Sequence, residues 1–127
     1  MRKTIGPLML VLAIAGCSSR PGIPVSDTQT LVMEGAILAA GIRASSPTLS
    51  QRDGTAVALS SLYNEKQHPV RLYYRFYWYD AKGLEIHPAD KVQELQLDAE
   101  SGKQIQSTLF NPDASKVRLF LSLRSEL

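Results

Sequence analysis

At 127 residues and 14.0 kDa the chain has room for one domain with its own core, which excludes two lobes closing on a substrate. Hydrophobic residues make up 44% and charged residues 20%, an ordinary globular balance that excludes intrinsic disorder and a multi-span membrane protein. The formal charge is +2, but with Arg2 and Lys3 set aside as part of a leader the basic residues equal the 12 acidic ones, so no nucleic-acid partner is expected.

The chain opens with Arg2 and Lys3, continues as an apolar run from Ile5 to Ala15 weakened only by Gly6 and Pro7, and reaches Gly16 and Cys17. Charged, apolar and small zones in that order predict a signal peptide over residues 1–16. The uncharged stretch from Thr4 to Ser19 covers 16 residues, short of the roughly 20 that a membrane-spanning helix needs. Ile14-Ala15-Gly16-Cys17 resembles the bacterial lipobox, which implies diacylglycerol on the Cys17 thiol, cleavage just before it and acylation of the new amino group. Each buried methylene contributes about 0.8 kcal/mol, so two or three acyl chains hold a protein firmly on a membrane. Cys17 is therefore expected to be an anchor and not a nucleophile, the competing reading being a free or buried cysteine behind an ordinary signal peptide. As the one cysteine, it forms no internal disulfide. Resemblance to Gram-negative lipoproteins adds a destination. Ser18 stands where an aspartate would retain such a protein in the inner membrane, which implies the outer membrane and a domain facing the periplasm.

Residues 17–30 carry the acylation site and a Ser-, Pro-, Gly- and Thr-rich run without hydrophobic periodicity, predicted as a tether ahead of a domain over 31–127. Leu31, Val32, Met33, Ile37, Leu38 and Ile42 would suit a helix, but Gly35 and Gly41 each cost one about 1 kcal/mol, so two short strands are expected. Turn signals then recur at 51–54, 64–69, 80–83, 87–90, 99–102 and 111–115, with short strands between them. Thr55 to Tyr63 reads as a strand, with Ala56, Ala58, Ser60 and Leu62 competing with Val57, Leu59 and Tyr63 for the inner face. From Val70 to Asp80 the alternation is clear: Val70, Leu72, Tyr74, Phe76 and Trp78 share one face, Arg71, Tyr73, Arg75, Tyr77 and Tyr79 the other. Gly83 is expected at positive φ in the turn that follows. Val92 to Leu97 and Gln104 to Phe110 supply two more strands. The last runs from Val117 to Leu123, central in its sheet, with Val117, Leu119, Leu121 and Leu123 inward and Lys116, Arg118, Phe120, Ser122 and Arg124 outward. About seven strands in this length predict an all-β, immunoglobulin-like β-sandwich behind the lipoprotein signal peptide.

Tyr74-Arg75-Phe76-Tyr77-Trp78-Tyr79-Asp80-Ala81-Lys82-Gly83-Leu84-Glu85-Ile86, preceded by Asn64 and by Pro69-Val70, resembles the YcfL-like family of small bacterial lipoproteins, and the likeness runs from about Gly41 to Arg124. The resemblance implies the sandwich and the outer-membrane anchor, and no activity. Relatives are encoded beside a lipoprotein that activates a peptidoglycan synthase, which implies as partner an envelope protein linked to peptidoglycan synthesis.

Catalysis leaves traces in residue types, and few are found. His68 and His87 each precede a proline in a predicted turn, with no second His or Cys at ligand spacing, and read as turn residues, not metal ligands. Ser45-Ser46 and Ser60-Ser61 lack the glycine-flanked elbow of a serine hydrolase. Glu94, Asp98 and Glu100 read as a solvated acidic turn, although paired carboxylates serve glycoside hydrolysis when the spacing in space is right. The chain is therefore expected not to be an enzyme and to need no cofactor or metal. What remains is the row Arg71, Tyr73, Arg75, Tyr77 and Tyr79, in a segment from Tyr73 to Tyr79 that holds six of the chain's nine aromatic residues. Side chains two apart on a strand stand about 6.6 Å apart, so Arg75 reaches Tyr73 or Tyr77. Tyr and Arg bury much area at low entropic cost, which suits a partner protein, and aromatic rings also stack on sugars. Two uses follow, binding of another envelope protein or of peptidoglycan or another glycan through Tyr73, Tyr77 and Tyr79. Against both stands a structural role, with neighbouring segments covering the tyrosines and the arginines reaching past them to water.

Overall fold

The computed structural model describes residues 30–127. The expected signal peptide, Cys17 and the expected tether up to residue 29 lie outside the described residues. Within them the chain forms eight strands and one short helix: β1 Leu31–Met33, α1 Gly35–Ala39, β2 Ile42–Ala44, β3 Thr48–Arg52, β4 Thr55–Asn64, β5 Val70–Tyr79, β6 Gln93–Leu97, β7 Gly102–Phe110 and β8 Lys116–Ser122.

Two sheets face each other. In the first the order is β1-β8-β5-β6; in the second β4 takes β2 and β3 in succession along one edge and β7 along the other. Crossings between β4 and β5, β6 and β7, and β7 and β8 produce the antiparallel β4–β7 and β5–β8 pairs, the Greek-key wiring of an immunoglobulin-like sandwich. β1 runs parallel to β8, with Leu31 opposite Leu119 and Met33 opposite Leu121. β8 is thereby central, as its uninterrupted apolar row predicts.

The core forms where large side chains of one sheet meet small ones of the other. Leu72, Phe76 and Trp78 of β5, Leu97 of β6 and Val117, Leu119 and Leu121 of β8 are buried on the first sheet. Opposite them β4 buries Ala56, Ala58, Ser60 and Leu62, and β7 buries Ile105 and Ser107. The sequence left the inner row of β4 open; it is the row of small residues, while Val57 and Leu59 are only half-buried and Tyr63 is exposed. Close packing at crystal-like density explains the choice, because the volume of Trp78 and Phe76 is already committed to the gap. Trp78 Nε1 reaches across it and donates to Ser107 Oγ at 3.1 Å. Among the described residues every strand and the buried core lie between Leu31 and Ser122.

Asn64, fully buried at the end of β4, ties two turns together. Its Nδ2 donates to the backbone oxygens of His68, Leu97 and Asp98, and its Oδ1 accepts from the Lys66 amide at 2.9 Å. The residue carried by the family resemblance is thus a structural clamp.

Three expectations change. Residues 31–42 form two short strands, as predicted, but α1 lies between them. Gly35 and Gly41 frame the helix instead of interrupting it: Gly35 begins it, and Gly41, at φ 85°, ends it in the left-handed conformation that glycine adopts without strain. Fully buried Ile37 holds this short helix against the core. Second, the strand count is eight, because β3 pairs with β4 through a hairpin whose Asp53 and Gly54 both have positive φ. Third, β8 stops at Ser122. Ser122 was expected on the outer face but is fully buried, donating to Glu34 Oε1 at 2.8 Å, and Leu123 is only half-buried. The turn at Asp80 follows expectation: Gly83 has φ 85°, and Asp80 Oδ1 accepts from the amides of Lys82 and Leu84.

Candidate functional site

The alternation of β5 places Arg71, Tyr73, Arg75, Tyr77 and Tyr79 together on the outer face of the first sheet, and the register decides what stands beside each. On the β8 side Tyr73 is opposite Ser122, Arg75 opposite Phe120, Tyr77 opposite Arg118 and Tyr79 opposite Lys116. On the β6 side Arg71 is opposite Gln96 and Tyr73 opposite Glu94. Arg71 is exposed; Tyr73, Arg75, Tyr77 and Tyr79 are half-buried.

Specific contacts fix most of the row. Tyr77 meets Phe120 edge to face, with ring centroids 4.9 Å apart. The Arg75 guanidinium lies 5.3 Å from the Tyr77 ring centroid and that of Arg118 lies 5.3 Å from the Tyr79 centroid, both within cation–π range. Arg75 Nε donates to the Asp90 backbone oxygen at 2.7 Å, and its Nη1 donates to the Leu127 backbone oxygen at 2.8 Å and to the Tyr77 hydroxyl at 3.3 Å. Its donors thus hold the chain's own loop and C-terminal segment, whereas the sequence left them facing outward. Arg71 pairs with Glu94 at 3.2 Å, both largely exposed, a contact of little energetic weight.

Burial pushes the Tyr79 phenol above its ordinary value, with Arg118 opposing the shift and Glu85 and Tyr77 adding to it. The phenol of Tyr74 on the inner face is also raised, first by burial and then by the negative charge of Asp90. At neutral pH both therefore keep their protons and are able to donate hydrogen bonds. A surface of fixed aromatic rings, phenol donors and one exposed guanidinium is equipped for recognition. One ring face of Tyr77 and one of Tyr79 already carry a guanidinium, which reduces the area free for stacking on a sugar.

The other groups named from sequence take structural positions. Ser60 Oγ donates to the Ser45 backbone oxygen at 2.6 Å, and the Ser61 amide donates to Ser45 Oγ at 2.9 Å, closing the chain beyond β2 onto β4. His68 lies in the turn before β5, and His87 Nδ1 sits 3.8 Å from Glu85 Oε2. Asp98 and Glu100 occupy the turn between β6 and β7, where Glu100 has φ 51°. No group of three or more His, Cys, Asp or Glu able to hold a metal occurs among the described residues. Phe120 and Arg118 are the additions to the site. Their outward parity on β8 was readable, but their place beside Tyr77 depends on the β5–β8 register.

Comparison with known proteins supports the same fold. The family described as "Protein of unknown function (DUF1425)" matches residues 29–123. The chain is 48% identical over 115 residues to "Uncharacterized protein YcfL" of Escherichia coli (strain K12), covering 91% of this chain and 92% of that protein. A crystal structure of a DUF1425 family member from Shewanella superimposes with a TM-score of 0.61 at 22% identity, over 68% of this chain and 79% of the other. Campylobacter jejuni cj0090 superimposes with a TM-score of 0.56 at 12% identity, over 74% and 97% of the two chains. At these identities the two structures speak for the fold alone.

Proposed function

The chain belongs to the DUF1425 family, and from that premise we propose that it is a non-catalytic lipoprotein of the outer membrane whose sandwich domain faces the periplasm and binds another envelope protein. Acylated Cys17 is the mooring, and Ser18 after it directs the chain to the outer membrane. An envelope protein linked to peptidoglycan synthesis is the partner in view.

The observation that carries the binding role is the outer row of β5, where Tyr73, Arg75, Tyr77 and Tyr79 remain half-exposed while Phe120, Asp90 and Leu127 hold Tyr77 and Arg75 in place. Side chains already immobilised lose little entropy when a partner covers them. Binding of a glycan would use the same tyrosines, and the guanidinium groups on Tyr77 and Tyr79 count against it.

Two measurements on the chain from Ser18 onward test the proposal. A photo-crosslinking side chain at Tyr73 should capture one protein from intact envelopes, with capture falling at least tenfold in a Tyr77→Ala background. Co-sedimentation with isolated sacculi that Tyr77→Ala abolishes would replace the protein partner by a glycan. Neither crosslink nor co-sedimentation would remove the binding role.

A further inference from the structure

β8 ends at Ser122, opposite Tyr73, and the chain bends over residues 123–125 before it returns to β5. The root of this returning segment is held at the β1 edge, where the Arg124 amide donates to Ser122 Oγ at 2.9 Å and Arg124 Nη2 lies 3.4 Å from Glu34 Oε2. Its tip is held by Arg75, whose Nη1 donates to the Leu127 backbone oxygen at 2.8 Å. The same Nη1 donates to the Tyr77 hydroxyl at 3.3 Å, so the tip is set down beside Arg75 and Tyr77, in the middle of the outer row. Leu127 is half-buried, while Ser125 and Glu126 are exposed.

The segment and the surface under it are held very differently. Residues 124–127 form no strand and supply no side chain to the core. The Arg124 and Glu34 side chains are largely exposed, and ion pairs of that kind hold weakly. Such a segment opens at lower free energy than the strands beneath it. Arg75, in contrast, is fixed: Nε donates to the Asp90 backbone oxygen at 2.7 Å, the guanidinium lies 5.3 Å from the Tyr77 ring centroid, and Phe120 meets that ring edge to face. A guanidinium held in this way offers a charged donor of set direction to a carbonyl oxygen. In this chain the carbonyl comes from a short irregular peptide with a half-buried leucine, and a peptide of the same kind is what the surface fits from outside.

We propose that residues 124–127 are a strap standing in for the partner: a peptide segment of another protein, presenting a backbone carbonyl and an apolar side chain, takes the place of Leu127 on Arg75, and the strap lifts to admit it. The inference deepens the binding reading of the outer row and rests on it. Arg75 is then the point at which the partner's backbone is received, with Tyr77 beside it. A closed strap lowers the apparent affinity of the partner in proportion to the fraction of chains that are open.

The test compares the full-length product in detergent, intact and with residues 125–127 removed. Unchanged Trp78 fluorescence and unchanged amide exchange in β8 show that the shortened chain keeps its fold. A fluorescently labelled, amidated peptide with the sequence of residues 123–127 should bind the shortened chain about tenfold more tightly than the intact one. Arg75→Lys in the shortened chain should remove that gain, because lysine keeps the charge but not the planar fork that serves Asp90 and Leu127 together. Arg124→Gln frees the root without shortening the chain and should move peptide binding the same way by about twofold. In intact envelopes, capture of a protein by a photo-crosslinking side chain at Tyr73 should rise on shortening and fall again when unlabelled peptide is added. Equal peptide binding by the two chains, or capture that stays level or falls on shortening, would overturn the strap and leave the binding role of the row in place. No capture by either chain, with the peptide still preferring the shortened one, would end the envelope-partner reading and keep Arg75 as a peptide site. Co-sedimentation with sacculi that rises on shortening, without peptide binding, would overturn the proposal in favour of a glycan.

Discussion

The two sheets of this sandwich solve opposite packing problems. The first carries large residues on both faces, with Trp78, Phe76 and Leu72 inward and Tyr73, Tyr77 and Phe120 outward, and buries even its outer row halfway. In the second, alanine and serine face inward on β4, while on β7 Gln104, Gln106 and Thr108 lie exposed to solvent. The difference separates two kinds of side-chain volume, one set by the gap between sheets and one not set by the core at all. Aromatic bulk inside is required by the alanines opposite; aromatic bulk outside has no such counterpart, which is why the outer row of β5 invites a functional explanation.

The sharpest way to break this contrast is Trp78→Ala. Removal of the largest buried side chain faces small residues that cannot close the void, and should cost about 3–5 kcal/mol in chemical denaturation. Tyr77→Ala, on the outer face of the same strand, should cost less than half as much while carrying the whole binding phenotype. Equal losses would make the outer row structural and remove its claim to recognition.

The reverse insult comes next. Ala58→Leu adds three heavy atoms to a fully buried position of β4 and should destabilise by about 2–3 kcal/mol, through overpacking against the first sheet. Val57→Leu, half-buried on the other face, should change stability by less than about 0.5 kcal/mol. A mild Ala58→Leu would mean that the gap is not filled by the aromatic side.

Ser107→Ala probes the polar bridge that Trp78 makes across the gap. Ser107 Oγ accepts from Trp78 Nε1 and donates to Asp90 Oδ2, so the alanine leaves an indole N–H buried and a carboxylate short of a donor. A loss of about 1–2 kcal/mol is expected, visible as a lowered denaturation midpoint and a changed Trp78 fluorescence. No change would show that Trp78 is held by packing alone.

How far this organisation is legible in the sequence depends on what decides each feature. The β5 and β8 rows follow from period-two alternation, and Gly83 from the φ that its turn requires; both are local, and both were readable. β3 was not, since Thr48, Ser50, Gln51 and Arg52 are exposed and show no apolar period, and its strand state comes from pairing with β4. The inner row of β4 defeats hydrophobicity outright, because Val57, Leu59 and Tyr63 lose the interior to Ala56, Ala58 and Ser60. That outcome is fixed by the opposite sheet. At the candidate site, the membership of the row was readable, but its half-burial was not. Phe120, Asp90 and the Leu127 backbone oxygen arrive there from residues 45, 15 and 52 positions away along the chain from Arg75.

The smallest effect tests how the first sheet is closed at its β1 edge, where the second sheet has no equivalent. Glu34 follows β1 and accepts from Ser122 Oγ at 2.8 Å, with Arg124 Nη2 at 3.4 Å. The Ser122 hydrogen bond holds the Glu34 carboxyl below its usual 4.5 against a partial desolvation that raises it, and Arg124 adds to the lowering. A carboxylate with a depressed folded-state pKa stabilises above the unfolded value and loses that contribution as pH falls through the folded one. Wild type should therefore exceed Glu34→Gln in Tm at neutral pH, and the gap should begin to narrow near pH 4.5 and close below the depressed pKa. Protonation at that point releases the carboxylate from Ser122 and Arg124, so β1 should show faster amide exchange in acid while β5 does not. A Tm gap that persists in acid would show that Glu34 acts through packing, and that the β1 edge is closed by Leu31 and Met33 against β8 without help from charge.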